Sequence, residues 1–148
     1  MICSFLNKMD LRDKDKMEHH LGFFSDARAS FSSLDAVIGL LVHKVNHLSM
    51  QTLRLVNYEH TRKTAAFVRA CVAFAFITIP SLASPLHKLQ LYLESAQVAL
   101  CNQCLSQTDA FLKAAIGLVP DAQKHAEALS TSSVEASLLQ LHARSNPK

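Results

Sequence analysis

Two pairs of side chains have the spacing at which metal or thiol chemistry occurs in proteins. Cys101 and Cys104 form a C-x-x-C motif, which allows two thiolates to bind one zinc ion or to form a redox disulfide. His43 and His47 are four residues apart, so on a helix they share one face and could offer two nitrogens to one metal ion. A small helical protein that binds a metal or exchanges a disulfide through these four residues is therefore our alternative hypothesis.

Both pairs lack the further residues that would complete such a site. A structural zinc site needs four ligands, and the sequence has no second C-x-x-C motif. The two histidines are separated by Lys44, Val45 and Asn46 rather than by the glutamate of an H-E-x-x-H motif. The C-x-x-C pair is predicted to lie in the middle of a helix, on a packing surface. These features favour a polar helix face and small-residue packing over a metal or redox site.

Sequence patterns typical of catalysis are also missing. There is no G-x-S-x-G motif and no glycine-rich phosphate loop. Three glycines in 148 residues leave little material for a cradle of backbone amides around a phosphate. We therefore expect no enzymatic activity, no catalytic residue, and no cofactor or metal ion.

A local group of basic residues is the remaining candidate site. Arg54, Arg62, Lys63 and Arg69 surround one predicted loop and the start of the helix that follows it. An ordinary solvated surface is the default interpretation of this group, and contact with an acidic protein partner is the functional alternative. Nucleic acid is not an expected partner, because the net charge of +3 is mild and spread over the whole chain.

Composition predicts the kind of fold that must position these residues. A chain of 148 residues with 49% hydrophobic and 18% charged residues has the length of one domain and is expected to bury a core. Three glycines and four prolines leave few tight turns, which disfavours sandwiches and barrels. We therefore predict an all-α fold.

The cysteine content and the N-terminal sequence predict the compartment. Four cysteines are few for this length and do not indicate a disulfide framework. The first residues, MICSFLNKMDLRDKDK, lack the apolar core of a secretory signal peptide. A reducing compartment, the cytoplasm, is expected.

The first two helices are predicted from their caps and their apolar spacing. A short helix is expected over residues 23–31, and Ser32 or Ser33 should cap the helix after it. That second helix has apolar residues at spacings of three, four and seven, which is typical of an amphipathic helix. The apolar stripe consists of Leu34, Val37, Leu41, Val45, Leu48 and Leu55.

The third helix is expected to begin after the cap Thr61 and to end at Pro80. Residues 65–79 are almost all apolar, which predicts an inner helix that neighbours cover on every side. The longest apolar run, residues 70–79, is shorter than the ~20 residues of a membrane-spanning helix. Ser84 and Pro85 should start the next helix as its cap and its first residue.

The remainder of the chain is predicted to hold three short helices, one ending near Ser95, one through Leu105 and one over residues 106–118. Small residues at regular intervals resemble those of a helical-repeat pair and favour stacked antiparallel hairpins. After Pro120 the composition becomes richer in Ala, Ser, Thr and Gln. We therefore divide the chain into a connector or partial helix (1–22), α-solenoid repeats (23–120) and a weakly ordered tail with one short helix (121–148).

Three segments resemble one protein family. They are FFSDARASFSSLDAVIGLLVHKVNHLSM at residues 23–50, HTRKTAAFVRACVAFAFITIPSL at residues 60–82 and LQLYLESAQVALCNQCLSQTDAFLKAAIGLVP at residues 89–120. They are similar to the large α-solenoid subunit of the endosomal retriever complex, in the vacuolar protein sorting-associated protein 35-like family, a relative of the retromer large subunit. The similarity extends over residues 5–120, in order and without large gaps.

The resemblance implies a HEAT-like stack of antiparallel helical hairpins. It implies a scaffold role without catalysis. It also implies that the chain corresponds to a piece of the C-terminal half of a longer protein. It implies three protein partners: an arrestin-like subunit, an inactive metallophosphoesterase-fold subunit and a coiled-coil assembly. Such complexes recycle membrane cargo from endosomes to the cell surface, so the implied location is the cytoplasm and, through partners, the endosome periphery. The partner surfaces of the family are spread over many hairpins, so the resemblance assigns no contact to an individual residue.

Overall fold

The computed structural model describes the backbone of residues 17–145 and the side chains of residues 17–131. Within this part the chain forms five α-helices and no strand, which confirms the predicted all-α fold. A single 3₁₀ turn, Ile79–Ser81, follows the third helix. The helices are α1 Met17–Ser30, α2 Asp35–Leu55, α3 Arg62–Thr78, α4 Pro85–Cys101 and α5 Leu105–Ser145.

Helix α2 buries the middle of its predicted apolar stripe. Val37, Leu41 and Val45 are buried, whereas Leu34 and Leu55, at the two ends of the stripe, are 47% and 37% exposed. The buried surface is wider than one stripe, because α2 contacts α1, α3 and α4. Burial of apolar side chains against three neighbours makes α2 a main contributor to the core.

Helix ends predicted from local chemistry are confirmed at α3 and α4. The Thr61 hydroxyl accepts a hydrogen bond from the Thr64 N–H at 3.2 Å, and the Thr64 hydroxyl accepts one from the Thr61 N–H at 2.9 Å. This reciprocal pair satisfies two of the free amides at a helix start. Helix α3 ends at Thr78, and Pro80 is the second residue of the 3₁₀ turn that follows it. Ser84 caps α4, whose first residue is Pro85.

The predicted start of α2 is wrong in its capping residue. Leu34, and neither Ser32 nor Ser33, occupies the cap position, and its side chain makes no capping hydrogen bond. The two serines lie in a turn that the Leu34 N–H closes by donating to the Phe31 carbonyl at 3.1 Å. That turn sets the start of α2 one to two residues later than the hydroxyls alone suggest. Helix α1 also differs, because it begins at Met17 rather than at residue 23.

The segment before residue 105 forms one helix rather than the two that were predicted. Helix α4 continues past Ser95 to Cys101. It ends in a turn where Gln103 has a φ of 59° and the Cys104 N–H donates to the Ala99 carbonyl at 2.9 Å. A left-handed residue followed by such a backward bond is a common helix end. The C-x-x-C pair therefore lies across the α4–α5 turn, and the prediction that it is mid-helix is wrong.

Pro120 lies inside α5 and does not end it. A proline removes one backbone hydrogen bond, the one that the carbonyl four residues earlier would accept. Here that carbonyl belongs to Ile116, a residue on an exposed side of the helix. The helix predicted to stop at residue 118 therefore continues to Ser145, and no separate short helix follows. The division of the chain at residues 22 and 120 stays a prediction.

Helix α3 contacts all four other helices, yet one side of it is exposed. Val68, Cys71 and Ala75 are buried, whereas residues 66, 70, 73 and 77 form an exposed stripe at spacings of four, three and four. The prediction that neighbours cover this helix on every side is therefore wrong for the described part of the chain. No other helix in residues 17–145 lies over that stripe.

Residues Arg62–Ser81 are long and apolar enough, by length and composition, to cross a membrane, with a mean hydropathy of 1.6 in the relevant window. The core helix of a helical array meets the same criterion. The contacts of α3 with α1, α2, α4 and α5 are those of such a core helix. This agrees with the interpretation of the apolar run as a core segment.

Helices α1 and α3 are parallel neighbours. Near their starts, the Lys63 Nζ lies 3.6 Å from the Glu18 carboxylate. Near their ends, Arg28 Nη2 donates to the Ile77 carbonyl at 3.1 Å. Contacts that proceed from start to start and from end to end require the two helices to run in the same direction.

Helices α2 and α4 are related in the same way. The Asp35 carboxylate accepts a hydrogen bond from the Ala83 N–H at 2.8 Å at one end. The Met50 sulfur lies 3.9 Å from Asn102 Nδ2 at the other end. Each helix of the α1–α2 hairpin is thus parallel to its counterpart in the α3–α4 hairpin. This is the arrangement of stacked helical hairpins, and it supports the predicted α-solenoid section.

Candidate interaction surfaces

The C-x-x-C cysteines are not arranged as a metal or redox site. Cys101 is exposed, Cys104 is buried, and both are free thiols. Burial raises the pKa of the Cys104 thiol, and the nearby charge of Arg69 opposes this effect only partly. A thiol that stays protonated is a poor nucleophile and a poor metal ligand. In the part of the chain with described side chains, no three His, Cys, Asp or Glu residues are close enough to share a metal ion.

The two histidines of the alternative hypothesis have separate environments. His43 Nδ1 lies 2.9 Å and 3.0 Å from the two carboxylate oxygens of Glu94. An ionised carboxylate only accepts hydrogen bonds, so Nδ1 carries the proton and donates it. His47, one turn later, is largely exposed, and the partial desolvation of its ring together with the charges of Lys44 and Arg54 lowers its pKa. The geometry gives no support to a metal site at these residues.

Glu94 belongs to a polar cluster that joins the parallel helices α2 and α4. Asn46 Nδ2 donates to Ser95 Oγ at 3.0 Å and to Glu94 Oε1 at 3.3 Å. Asn46 and Ser95 are almost fully buried, and buried polar groups that satisfy one another fix the register of the elements that carry them. We call this cluster the α2–α4 seam; it consists of His43, Asn46, Glu94 and Ser95.

A second polar contact joins the two turns at the end of the seam. His60 Nε2 lies 2.9 Å from Asn102 Oδ1, and Asn102 Nδ2 donates to the Val98 carbonyl at 2.8 Å. The α2–α3 turn is therefore attached to the α4–α5 turn. Sequence reasoning missed Glu94 and Asn102, because their partners are 42 to 51 residues away and no local pattern marks such pairs.

A groove of about 550 Å³ lies beside the seam. It combines apolar side chains with three basic side chains and opens to solvent. Besides the seam residues His43, Asn46 and Glu94, this α2–α4 groove is lined by Leu40, Lys44, His47, Met50, Arg54 and Val98.

The four basic residues predicted to form one surface are distributed over the molecule. Arg54 lines the α2–α4 groove, whereas Lys63 forms an exposed ion pair with Glu18 on the α1–α3 side. Arg69 lies close enough to Cys104 to affect its pKa, and Arg62 is the exposed first residue of α3. The structure therefore brings Arg54 together with Lys44 and His47, a combination that the linear sequence did not single out.

Helices α4 and α5 each expose a stripe of apolar side chains. On α4 the exposed residues are seven apart, so they share one side of the helix. On α5 they follow spacings of seven, four and three residues. Exposed apolar stripes of this size are typical of surfaces that other proteins or domains cover. The α4 stripe is Leu86, Leu93 and Leu100, and the α5 stripe is Leu105, Leu112, Ile116 and Val119.

Comparison with known proteins identifies relatives of this helical array. A family model described as the VPS35L C-terminal domain matches residues 1–141. The chain is 57% identical over 107 residues to a mouse protein named "VPS35 endosomal protein-sorting factor-like". The aligned region covers 72% of this chain and 11% of that protein. A rat protein of the same name is 47% identical over 139 residues, covering 82% of this chain and 15% of that protein.

A more distant relative has the same description. A Dictyostelium discoideum protein named "VPS35 endosomal protein sorting factor-like" is 45% identical over 122 residues, covering 82% of this chain and 12% of that protein. The chain therefore spans about a tenth to a sixth of the length of the curated relatives that it matches.

Proposed function

Since the chain belongs to the VPS35L C-terminal domain family, we propose that it acts as a non-catalytic scaffold segment in endosomal protein sorting. The names of its relatives describe endosomal protein-sorting factors. The chain spans only a small part of their length, so its contribution is that of a few helical hairpins within a larger array.

The observation that carries this proposal is the pair of stacked hairpins with uncovered apolar stripes. Each repeat of a solenoid contacts only its neighbours, so a hairpin at the edge of a section exposes apolar surface that the next hairpin or a partner covers. Leu93 and Leu100 on α4, and Leu112 and Ile116 on α5, supply such a surface. A scaffold requires surfaces of this kind rather than an assembled catalytic centre.

The partners in this proposal are those that the family resemblance implies. They are an arrestin-like subunit, an inactive metallophosphoesterase-fold subunit and a coiled-coil assembly. The proposed scaffold returns membrane cargo from endosomes to the cell surface and reaches the endosome from the cytoplasm through these partners. Arg54, Arg62, Lys63 and Arg69 remain proposed partner contacts at separate positions, with Arg54 acting from the α2–α4 groove.

A replacement experiment tests the scaffold role. In a chimera, this chain replaces the matching region of the mouse protein-sorting factor-like relative. The chimera is expressed at the normal level in mouse cells that lack that relative. We expect it to recover the arrestin-like, phosphoesterase-fold and coiled-coil partners on purification and to restore the surface level of a recycled membrane protein. A folded chimera that recovers none of these partners would contradict the proposal.

A matched pair of variants of the chimera tests the apolar surface. Leu112→Glu together with Ile116→Glu places charge in the α5 stripe, whereas Asp109→Asn together with Lys113→Gln changes exposed polar residues on the same helix. We expect only the first pair to reduce partner recovery or assembly of the chimera. Equal behaviour of the two pairs would show that the α5 stripe has no role in the scaffold.

A further inference from the structure

The α2–α4 groove has an apolar lining beneath its basic residues. Val98 is buried, and Leu40, Met50 and Lys44 are half-buried, whereas His47 and Arg54 at the edge are exposed. A volume of about 550 Å³ is within the range of ~300 to 1,000 Å³ that is usual for binding pockets. It accommodates a few side chains of a peptide.

The single carboxylate of the groove is already used within the protein. Glu94 accepts hydrogen bonds from His43 Nδ1 at 2.9 Å and from Asn46 Nδ2 at 3.3 Å. These donors hold the carboxylate in the seam and partly neutralise its field. Glu94 is therefore poorly placed to bind a cation from outside.

The basic side chains of the groove have no such partners. Among the side chains that the structure describes, no carboxylate lies within 4 Å of Lys44 or Arg54. Both charges act on His47, which lies between them on α2, because each disfavours protonation of its ring. The groove therefore presents two cations without a salt-bridge partner, against one carboxylate held in the seam, next to apolar surface.

We propose that the α2–α4 groove binds a short acidic segment of a partner protein, in which apolar side chains alternate with carboxylates. The apolar side chains pack on Leu40, Met50 and Val98, and the carboxylates pair with Lys44 and Arg54. Complementary charge of this kind orients a partner and excludes basic segments. The occupant is a peptide rather than a lipid surface, because a planar bilayer contacts exposed ridges and does not fill a groove between two helices.

Peptide binding to the full 148-residue chain tests this proposal. The probe is a fluorescein-labelled peptide of four glutamates alternating with four leucines, and fluorescence anisotropy measures its dissociation constant. A second probe has glutamine at each glutamate position. We expect the acidic peptide to bind, the glutamine peptide to bind about tenfold more weakly, and added salt to weaken the acidic peptide selectively.

Charge reversal locates the site. Lys44→Glu combined with Arg54→Glu is expected to weaken binding of the acidic peptide by about tenfold or more. The matched control is Lys113→Glu combined with Lys124→Glu, which makes the same change of net charge on exposed positions of α5 and is expected to change binding by less than about twofold. Circular dichroism verifies equal helix content, and the urea midpoint of each variant pair separates a loss of binding from a loss of folding.

Three outcomes would overturn the proposal. The acidic peptide fails to bind the chain; the control pair weakens binding as much as the groove pair; or vesicles containing phosphatidylserine bind in a manner that requires Lys44 and Arg54 while the peptide does not bind. The measurement uses the chain by itself, so a negative result leaves the scaffold role in endosomal sorting untouched.

Discussion

Phe111 is fully buried where three helices meet. Its ring centroid lies 5.3 Å from that of Phe76 on α3 and 6.1 Å from that of Tyr92 on α4, in edge-to-face and tilted geometries. Aromatic contacts of this kind add to the free energy of burial. The residue therefore links α5 to both helices of the α3–α4 hairpin.

Replacement of Phe111 is expected to be among the most destabilising single changes in the chain. Phe111→Ala removes the ring from the α3–α4–α5 junction and should lower the free energy of unfolding by about 3–5 kcal/mol. Denaturation in urea, followed by circular dichroism, measures this change. Leu112→Ala, at the neighbouring exposed position, is the control. It should lower the free energy of unfolding by less than about 1 kcal/mol, because Leu and Ala are both good helix formers. Equal losses for the two variants would contradict the packing described.

The three described cysteines are expected to differ in reactivity. Burial raises the pKa of Cys71 to about 12, with a smaller opposing effect of a side-chain hydrogen bond with Ser49. Burial also raises the pKa of Cys104, whereas Cys101 is exposed. Since the thiolate is the reactive form, iodoacetamide at pH 7.5 should modify Cys101 first and Cys71 last, as peptide mass spectrometry can measure. Modification of Cys71 as fast as Cys101 in the folded chain would argue against this core.

His47 gives the chain a pH-dependent loss of stability on the acid side. Burial, Lys44 and Arg54 lower its pKa in the folded state below the ordinary value of 6.5, so the folded chain favours the neutral ring. As the pH falls below 6.5, the unfolded chain takes up the proton first, and stability decreases until the lower folded pKa is passed. Above pH 6.5 this contribution to stability is fully present.

The His47→Gln variant tests that sign. We expect its urea midpoint to fall less than that of the parent chain between pH 7.5 and pH 5.5, because the variant has no ring to protonate at this position. His43 lines the same groove and is unchanged, so it serves as the common background. A parent chain that becomes more stable over this pH range relative to the variant would contradict the assigned direction.

At the scale of elements, the His87 side chain of α4 packs directly against α2 at Gly39. A Cβ placed at Gly39 would lie 2.6 Å from Cε1 and 3.1 Å from Nε2 of His87. Gly costs a helix up to about 1 kcal/mol relative to Ala, so a glycine here is explained by the space that the imidazole occupies. The two residues should therefore be coupled energetically.

A double-mutant cycle measures this coupling. Gly39→Ala in the His87→Ala background is expected to stabilise the chain by up to about 1 kcal/mol, because the helix gains propensity without a clash. The same Gly39→Ala change in the parent chain should be less favourable, since the His87 ring must move. Urea denaturation of the four proteins gives the coupling free energy. Equal effects in both backgrounds would show that the ring yields without cost.

Some element boundaries followed from local sequence and others did not. The effects of three residues on α3 and α4 were predictable because they are local. Thr61 and Ser84 accept hydrogen bonds from amides three residues later, and Pro80 has no amide N–H to continue a helix. The continuation of α5 through Pro120 depends on whether the freed carbonyl reaches water, which is a property of exposure in the folded chain. The α2 cap at Leu34 depends on a preceding turn rather than on the nearby serines.

At the scale of the whole molecule, the uncovered stripes of α4 and α5 should make the chain associate. Apolar side chains such as Leu105 and Ile116, 66% and 70% exposed, gain free energy when they are removed from water. We expect the 148-residue chain to bind a hydrophobic dye and to form oligomers in sedimentation experiments. A clean monomer with a sharp cooperative melt and no dye binding would contradict this expectation.

Charged substitutions separate this association from folding. Leu112→Glu with Ile116→Glu should reduce dye binding and oligomer formation while leaving the urea midpoint nearly unchanged, because neither side chain lies in the core. Phe111→Ala provides the opposite pattern, a lower midpoint with no loss of the exposed stripe. The contrast between the two variants distinguishes surface association from general unfolding.

The amino-acid sequence by itself determined the all-α class, the amphipathic character of α2 and the capped ends of α3 and α4. These features depend on periodicity and on hydrogen bonds between residues a few positions apart, so they can be predicted without knowing which other segments pack against them. Only the tertiary structure decided that His43 meets Glu94, that Arg54 joins Lys44 and His47 in one groove, and that one side of α3 is exposed. Those contacts connect helices about fifty residues apart in sequence, and their register is set by the packing of whole hairpins.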